Sequence, residues 1–192
     1  ITLISAIQGA GDVSPLVGET VSVEAIVTMV TPGLDGFFLQ EEDADNDEDP
    51  NTSEGIFVYT GSGSADWLEA NLSAGDQIRI DGRVSEYYAR TQLSADRDSL
   101  PVLERGLTLP ESQRIEMPFA DKAGLEAFEG MRVAIEALDG EPLVVTELYQ
   151  LGRYGEVTLS SGGRLEQFTE VNAPDQEGYA TWLADAEART IK

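Results

Sequence analysis

No histidine and no cysteine occurs in the 192 residues. The absence removes Ser–His and Cys–His nucleophilic centres, imidazole acid–base catalysis and histidine-ligated zinc in one step. It also removes disulfides, so the chain carries no reading of redox compartment. Cations are scarce: 12 lysines and arginines stand against 36 acids, the formal net charge is −24, and only Lys122 and Lys192 are lysines. Capture of a polyanion draws on counterion release by Lys and Arg, so this balance disfavours broad electrostatic binding of nucleic acid. A salty or cation-rich medium outside the cell would screen that repulsion and make the acidic surface a solubility device. No uninterrupted apolar run reaches membrane-spanning length, and no membrane partner is expected. The 19 glycines form no Walker or dinucleotide pattern. Ile1 follows no charged-then-apolar leader, which reads as a piece trimmed from a longer chain.

What is present is an acidic loop between two strand-like flanks. The run from Glu41 to Glu54 holds eight carboxylates and no cation, and it lies between Gly36-Phe37-Phe38-Leu39-Gln40 and Gly55-Ile56-Phe57-Val58-Tyr59. Short, aromatic and β-branched flanks opened by glycine read as a hairpin with a long connection. Like charges held there must stay splayed in water or collect a cation. Asp43, Asp45, Asp47 and Asp49 alternate, and Glu54 stands twelfth, where a bidentate carboxylate closes a calcium loop. These five are the candidate calcium ligands. Glu48 at the sixth position, Pro50 and the strand flanks exclude an EF-hand. The other reading is a solvated acidic loop without an ion.

Along the chain, Ile1 to Gln8 reads as a short apolar strand. Thr20 to Val30 alternates as a long half-buried strand, with Val21, Val23, Ala25, Val27 and Met29 on one face. After the two flanking strands, Ser64 is placed to cap a short helix burying Trp67, Leu68 and Leu72. Gln77 to Tyr88 alternates again, with Gly82 as a bulge or bend, and turns at Ala89-Arg90-Thr91 into Gln92-Leu93-Ser94. A helix between the third and fourth of five strands is the layout of an OB-fold barrel, so the expected class is mainly β, with this barrel at 1–110. The pattern restarts at 111–192. Asp121 to Phe128 suggests a helix, and Phe128 to Glu136 echoes Leu16 to Glu24 as a repeated first strand. Pro142 to Glu147 and Gly155 to Ser160 supply strands, and Asp175 to Arg189 a C-terminal helix around Tyr179, Trp182, Leu183 and Ala186. The second segment is expected to be OB-like and incomplete.

An OB-fold takes its ligand on the second and third strands, between the first–second and fourth–fifth loops, where rings stack on bases and arginines touch phosphates. Phe38, Tyr59, Arg83, Tyr87, Tyr88, Arg90 and Gln92 fall on those elements and are the candidate nucleic-acid-binding residues. Alternation lets one of Phe37 and Phe38 face inward, and Tyr87 and Tyr88 are expected to split the same way. Core packing is the alternative assignment for each ring taken singly. A two-metal phosphodiesterase built from carboxylates alone would draw its ligands from several elements, whereas these acids are consecutive in one loop.

Several runs then point to a family. Ser14-Pro15-Leu16-Val17-Gly18, Gly36 to Gln40, Asp49 to Val58, Val84 to Tyr88, Thr91-Gln92-Leu93 and above all Thr146 to Ser161 resemble the amino-terminal region of secreted bacterial nucleases of the ExeM and NucH kind. In that family, OB-fold domains precede a catalytic domain of the endonuclease/exonuclease/phosphatase class. The acidic loop differs, having Ala44, Asn46 and Glu48 where glycines are common. The resemblance implies a non-catalytic accessory region of an extracellular DNA-degrading enzyme. Its partners would be single-stranded or unwound DNA, bound weakly with calcium assistance, and a catalytic nuclease domain in the same parent chain. The alternative is a calcium-stabilised structural module that positions the catalytic domain without touching substrate, and an independent enzyme is the third reading.

Overall fold

A computed structural model describes residues 1–120 and 122–192, with the side chain of Arg153 excepted. The chain folds into two compact units, one of Ile1–Gln113 with Ala123–Val133 and one of Arg114–Lys122 with Ala134–Lys192.

The first unit is a closed barrel. Strands β1 (Thr20–Thr31), β2 (Gly36–Gln40), β3 (Gly55–Tyr59), β4 (Gln77–Glu86) and β5 (Thr91–Ala95) run in the order β1-β2-β3-β5-β4, and β4 pairs back onto β1. The β3–β5 pairing is parallel and the others in the ring are antiparallel. A short β6 (Val102–Glu104) adds to β4. Helix α2 (Ala65–Asn71) connects β3 to β4. This order, with the helix at that connection, defines a five-stranded OB-like barrel, as the alternation led us to expect.

Alternation decides the core. Val21, Val23, Ala25 and Val27 of β1, Phe37 and Leu39 of β2, Ile56 and Val58 of β3, Ile78, Ile80 and Val84 of β4 and Leu93 of β5 point inward and are almost wholly buried. Phe37 is fully buried and its neighbour Phe38 half-buried on the outer side. Phe37→Ala should therefore lower stability by about 3–5 kcal/mol, through lost transfer and a residual cavity, and Phe38→Ala by well under half of that. Urea denaturation of the two variants measures the difference, and equal losses would contradict the inward–outward assignment.

Four local expectations are corrected. Residues 4–8 form helix α1 (Ile4–Gln8) instead of a strand. Leu3 has no side-chain oxygen to cap it, and the Ile4 amide donates to Glu41 Oε1 at 2.7 Å, so a carboxylate distant in sequence starts this helix. The buried pair Ile4 and Ile7 sits at helical spacing. Met29 does not share the inner face: a register shift between Val27 and Met29 turns it outward, opposite Phe38 and 51% exposed. Gly82 makes no bulge. It stays in register with both Val21 and Ala95, and a Cβ there would stand 3.0 Å from Leu93 Cβ, so close packing explains the glycine. Ser64 adopts helical dihedrals and does not cap α2 with its side chain. Its hydroxyl instead accepts from Thr60 Oγ1 at 2.8 Å, while its amide donates to Asp35.

In the second unit, β7 (Gln113–Met117) and β8 (Val133–Ala137) form a two-stranded sheet that begins in the first unit at Gln113 and Val133. Strands β9 (Leu143–Glu147), β10 (Thr158–Ser161) and β11 (Thr190–Ile191) form a three-stranded antiparallel sheet. Of the helix expected at 121–128, Asp121 lies outside the described residues and Ala123–Phe128 is a 3-10 helix. Between the sheets' strands lie α3 (Leu151–Tyr154), α4 (Phe168–Val171) and the C-terminal α5 (Gln176–Ala188). Asp175 caps α5, accepting from the Gly178 amide at 2.6 Å. Ala186 is buried and Trp182 half-buried, but Tyr179 and Leu183 are exposed, and the Phe168 ring meets those of Tyr179 and Trp182.

Candidate nucleic-acid interface and acidic cluster

The outer side of β2, β3 and β5 is where the predicted residues meet. Cross-strand register sets Phe38 opposite Phe57, Phe57 opposite Gln92, and Tyr59 opposite Ser94. Between the first–second and fourth–fifth loops β3 and β5 floor a concavity of about 440 Å³, lined by Leu34, Asp35, Phe57, Tyr59, Tyr87, Arg90, Gln92 and their neighbours. Tyr59, Tyr87, Arg90 and Gln92 are thus brought together, and Phe57, which the sequence reading passed over, is the floor. Its signal was the register: in this hairpin the ring opposite Phe38 must share its face.

Arg90 is the centre of the arrangement. Its guanidinium lies 4.0 Å from the centroid of the Phe57 ring, and Nη2 donates to Gln92 Oε1 at 3.3 Å. Nε is buried with no hydrogen-bond partner among the described residues. Burial lowers the Arg90 pKa from its ordinary value, opposed by the charge of Glu129, and the group remains a cation. Glu129 itself is pushed up to about 7, mainly by burial and then by Glu126, while Gln8 and the Thr91 amide favour its charged form. That amide donates to Glu129 Oε1 at 2.9 Å, tying the start of β5 to the returning segment 123–133.

The tyrosines correct the expected split. Residues 87–90 form a two-residue hairpin turn in which the Tyr87 and Arg90 backbones bond each other, with Tyr88 at φ 51° and Ala89 at φ 58°, the type I′ pattern. Neither ring enters the core: Tyr87 is 56% and Tyr88 91% exposed, and the rings meet edge to face at 4.7 Å. Tyr88 stands at the turn tip, outside the concavity's lining. Arg83 lies outward on β4 opposite Ser94, at the margin of the face. Phe38 contacts Phe57 edge-on, centroids 5.0 Å apart, but borders a separate groove.

The acidic loop does not gather its five predicted ligands. Asp43 Oδ1 accepts from the Glu111 amide, Asp47 Oδ1 from the Asp49 amide, Asp49 Oδ1 from Asn51, and Glu54 Oε1 from the Asp47 amide. Asp47 and Asp49 fold the loop upon itself through Asx-type turns, while Asp43 ties it to Glu111. Among the described residues, the acidic oxygens within 4.8 Å of one another belong to Glu41, Glu42 and Asp45. Of the predicted set, only Asp45 is among them. This partly buried cluster can hold a metal ion. Glu41 is 2% exposed, and the Oε2 atoms of Glu41, Glu42 and Glu54 are buried without a hydrogen-bond partner, while Glu42 Oε1 accepts from Gln77. Burial pushes Glu41 up to about 7, against the Ile4 amide and with help from the charges of Glu42, Glu54 and Asp45. Burial likewise raises Glu54. Unpartnered buried carboxylate oxygens in a hard, oxygen-only donor set fit calcium or magnesium chemistry, not zinc. Within the cluster, Glu41 and Glu42 are positioned by the end of β2 and stand outside the alternating aspartates whose spacing suggests a calcium loop.

No family model matches the chain, and no curated protein matches it. Among solved structures it is similar to an OBody bound to hen egg-white lysozyme, at 18% identity over 47% of this chain and 84% of that one, with a TM-score of 0.35. Asparaginyl-tRNA synthetase from Pyrococcus horikoshii aligns at 16% identity over 48% of this chain and 21% of that one, TM-score 0.32. Aspartyl tRNA synthetase from Entamoeba histolytica aligns at 16% over 48% and 20%, TM-score 0.33. The chain therefore spans about a fifth of each synthetase. The class defined here, an OB-like barrel, rests on strand order, barrel closure and the helix between β3 and β4.

Proposed function

We propose that the barrel is a non-catalytic accessory region of an extracellular bacterial nuclease, binding single-stranded DNA weakly on the outer side of β2, β3 and β5. The observation that carries this reading is the concavity in which Arg90 lies over Phe57 beside Tyr59, Tyr87 and Gln92. Stacking supplies most of the affinity, because within this concavity and at its margin Arg90 and Arg83 are the cations placed to meet phosphate. Neither forms an ion pair among the described residues, although acids outnumber bases threefold, whereas Arg79 and Arg105 are paired with Glu24 and Asp76. The nuclease context comes from the sequence resemblance, which also supplies the catalytic domain as a partner within the parent chain. Calcium at Glu41, Glu42 and Asp45 would neutralise part of the acidic field that opposes a polyanion and would hold the 41–54 loop in place.

Fluorescence anisotropy of a labelled oligothymidine, titrated with the full chain in calcium and then in chelator, tests this. We expect sub-millimolar affinity in calcium, weaker affinity in chelator, and a log–log salt slope of about −1 to −2, as about two phosphate contacts to a single strand require. Arg90→Gln should weaken binding by about 1–2 kcal/mol with its melting temperature checked alongside. No signal in either state at millimolar protein would contradict the reading.

A second reading has its own observation: the groove around Glu41, Glu42 and Asp45 shares no lining residue with the Arg90 concavity. A calcium-stabilised structural module that positions a catalytic domain would show chelation lowering the melting temperature while leaving oligonucleotide binding absent.

A further inference from the structure

Phe38 faces a groove of its own, of about 460 Å³, bordered by Thr28, Met29, Phe38, Gly130, Met131 and Arg132. Two features build it. The register shift in β1 turns Met29 outward beside Phe38, and the returning segment 123–133 lays Met131 and Arg132 against the same face. That segment is fixed to the barrel by the Arg132 amide donating to Gln40 Oε1 at 2.9 Å and by Ser53 Oγ donating to the Glu129 carbonyl at 2.6 Å. The Arg132 guanidinium donates to the Pro110 carbonyl and forms no ion pair among the described residues. In a chain of net charge −24, a half-buried arginine held on a neutral oxygen beside an aromatic ring and two thioethers is complementary to an anion with an apolar body. The groove shares no lining residue with the first concavity but neighbours it, since Phe57 of that one meets Phe38 of this one edge-on.

We propose that this groove is a second nucleotide subsite, which takes a base against Phe38, Met29 and Met131 and a phosphate on Arg132. A single strand would then run from the Arg90 concavity across β3 and β2 to β1, three inter-strand spacings or about 14 Å. The inference rests on the single-strand reading above and extends it to a longer track that the barrel alone does not build.

Methionine reports on it directly, because the chain has three: Met29 and Met131 border the groove, and Met117, fully buried in the second unit, is an internal reference. The full chain, labelled with 13C at the methionine methyls and 15N at the backbone, is titrated with a thymidine trimer and with a thymidine octamer in calcium. The octamer should shift the Met29 and Met131 methyls and leave Met117 in place, and should bind about tenfold more tightly than the trimer. Arg132→Gln should bring the octamer to within about twofold of the trimer, while the Arg90 and Gln92 amides still respond. Shifts at Arg90 and Gln92 with both methionine methyls unmoved and equal affinities would overturn the second subsite and leave the first intact. No shift anywhere from either oligomer would remove both.

Discussion

Calcium at about a hundred times its dissociation constant should raise the melting temperature at pH 8 by about 5–10 °C, the effect of about 2.7 kcal/mol of linked binding on a chain of this size. Glu41→Gln should abolish that response. The sign of the accompanying pH dependence follows from Glu41. Its folded pKa of about 7 exceeds the ordinary 4.5, so between those values the folded chain binds more protons than the unfolded one. In chelator, stability is therefore greatest below about pH 4.5 as far as this group is concerned, and falls as pH rises to about 7, by an amount on the order of 3 kcal/mol. Bound calcium would remove that fall by holding the carboxylate ionised. Glu41→Gln keeps an acceptor for the Ile4 amide and removes a buried charge, so in chelator at pH 8 it should be more stable than the parent chain. Asp43→Asn, an exposed position outside the cluster, should leave the calcium response in place. Identical melting curves in calcium and chelator, for the parent chain at pH 8, would contradict the cation site.

Gly55→Ala should cost about 2–4 kcal/mol and release the segment 123–133 from the barrel. Gly55 is buried at the start of β3, and a Cβ there would stand 2.4 Å from the Gly130 carbonyl carbon and from the Met131 nitrogen. Both are backbone atoms, so no side-chain rotation relieves the clash. Gly130 is fixed from its own side: its φ is 72°, and its Cβ would meet the Gly55 and Ile56 backbone at 2.9 Å. Two chain segments approach here as only paired glycines allow. Gly124→Ala, with nothing within 4 Å, should change stability by less than about 0.5 kcal/mol. Urea denaturation measures the loss. Amide exchange at Thr91 and Arg132, which donate to Glu129 and Gln40 side chains, reports the release. Unchanged protection at both amides in Gly55→Ala would contradict the close-packed contact.

Much of the barrel was legible because strand alternation is a local property. Val21 to Val27, Phe37 against Phe38, and Ile78 to Val84 declare their inward faces in sequence, and Tyr59, Arg90 and Gln92 could be assigned to one surface once five strands and a helix were counted. What was not legible depends on residues far apart in the chain. Nothing near Leu3 announces that Glu41 will start a helix there, and nothing near Thr28 announces the register shift that turns Met29 outward. The loop aspartates show calcium-loop spacing, yet oxygens of Asp47 and Asp49 are taken by amides two residues on and one of Asp43 by the distant Glu111 amide, a competition that spacing does not reveal. Glu129, Met131 and Arg132 lie more than thirty residues beyond β5, past Pro101, Pro110 and Pro118, and their return to the barrel is fixed by Gly55 and Gly130.

The central claim, that the outer side of β2, β3 and β5 meets a single strand, is tested most directly by an amide chemical-shift map of the 15N-labelled full chain with a short thymidine oligomer in calcium. The largest shifts are expected at Tyr59, Arg90, Gln92 and Ser94, with little change in β9 to β11. Shifts confined to residues 134–192, or none at millimolar protein, would contradict it.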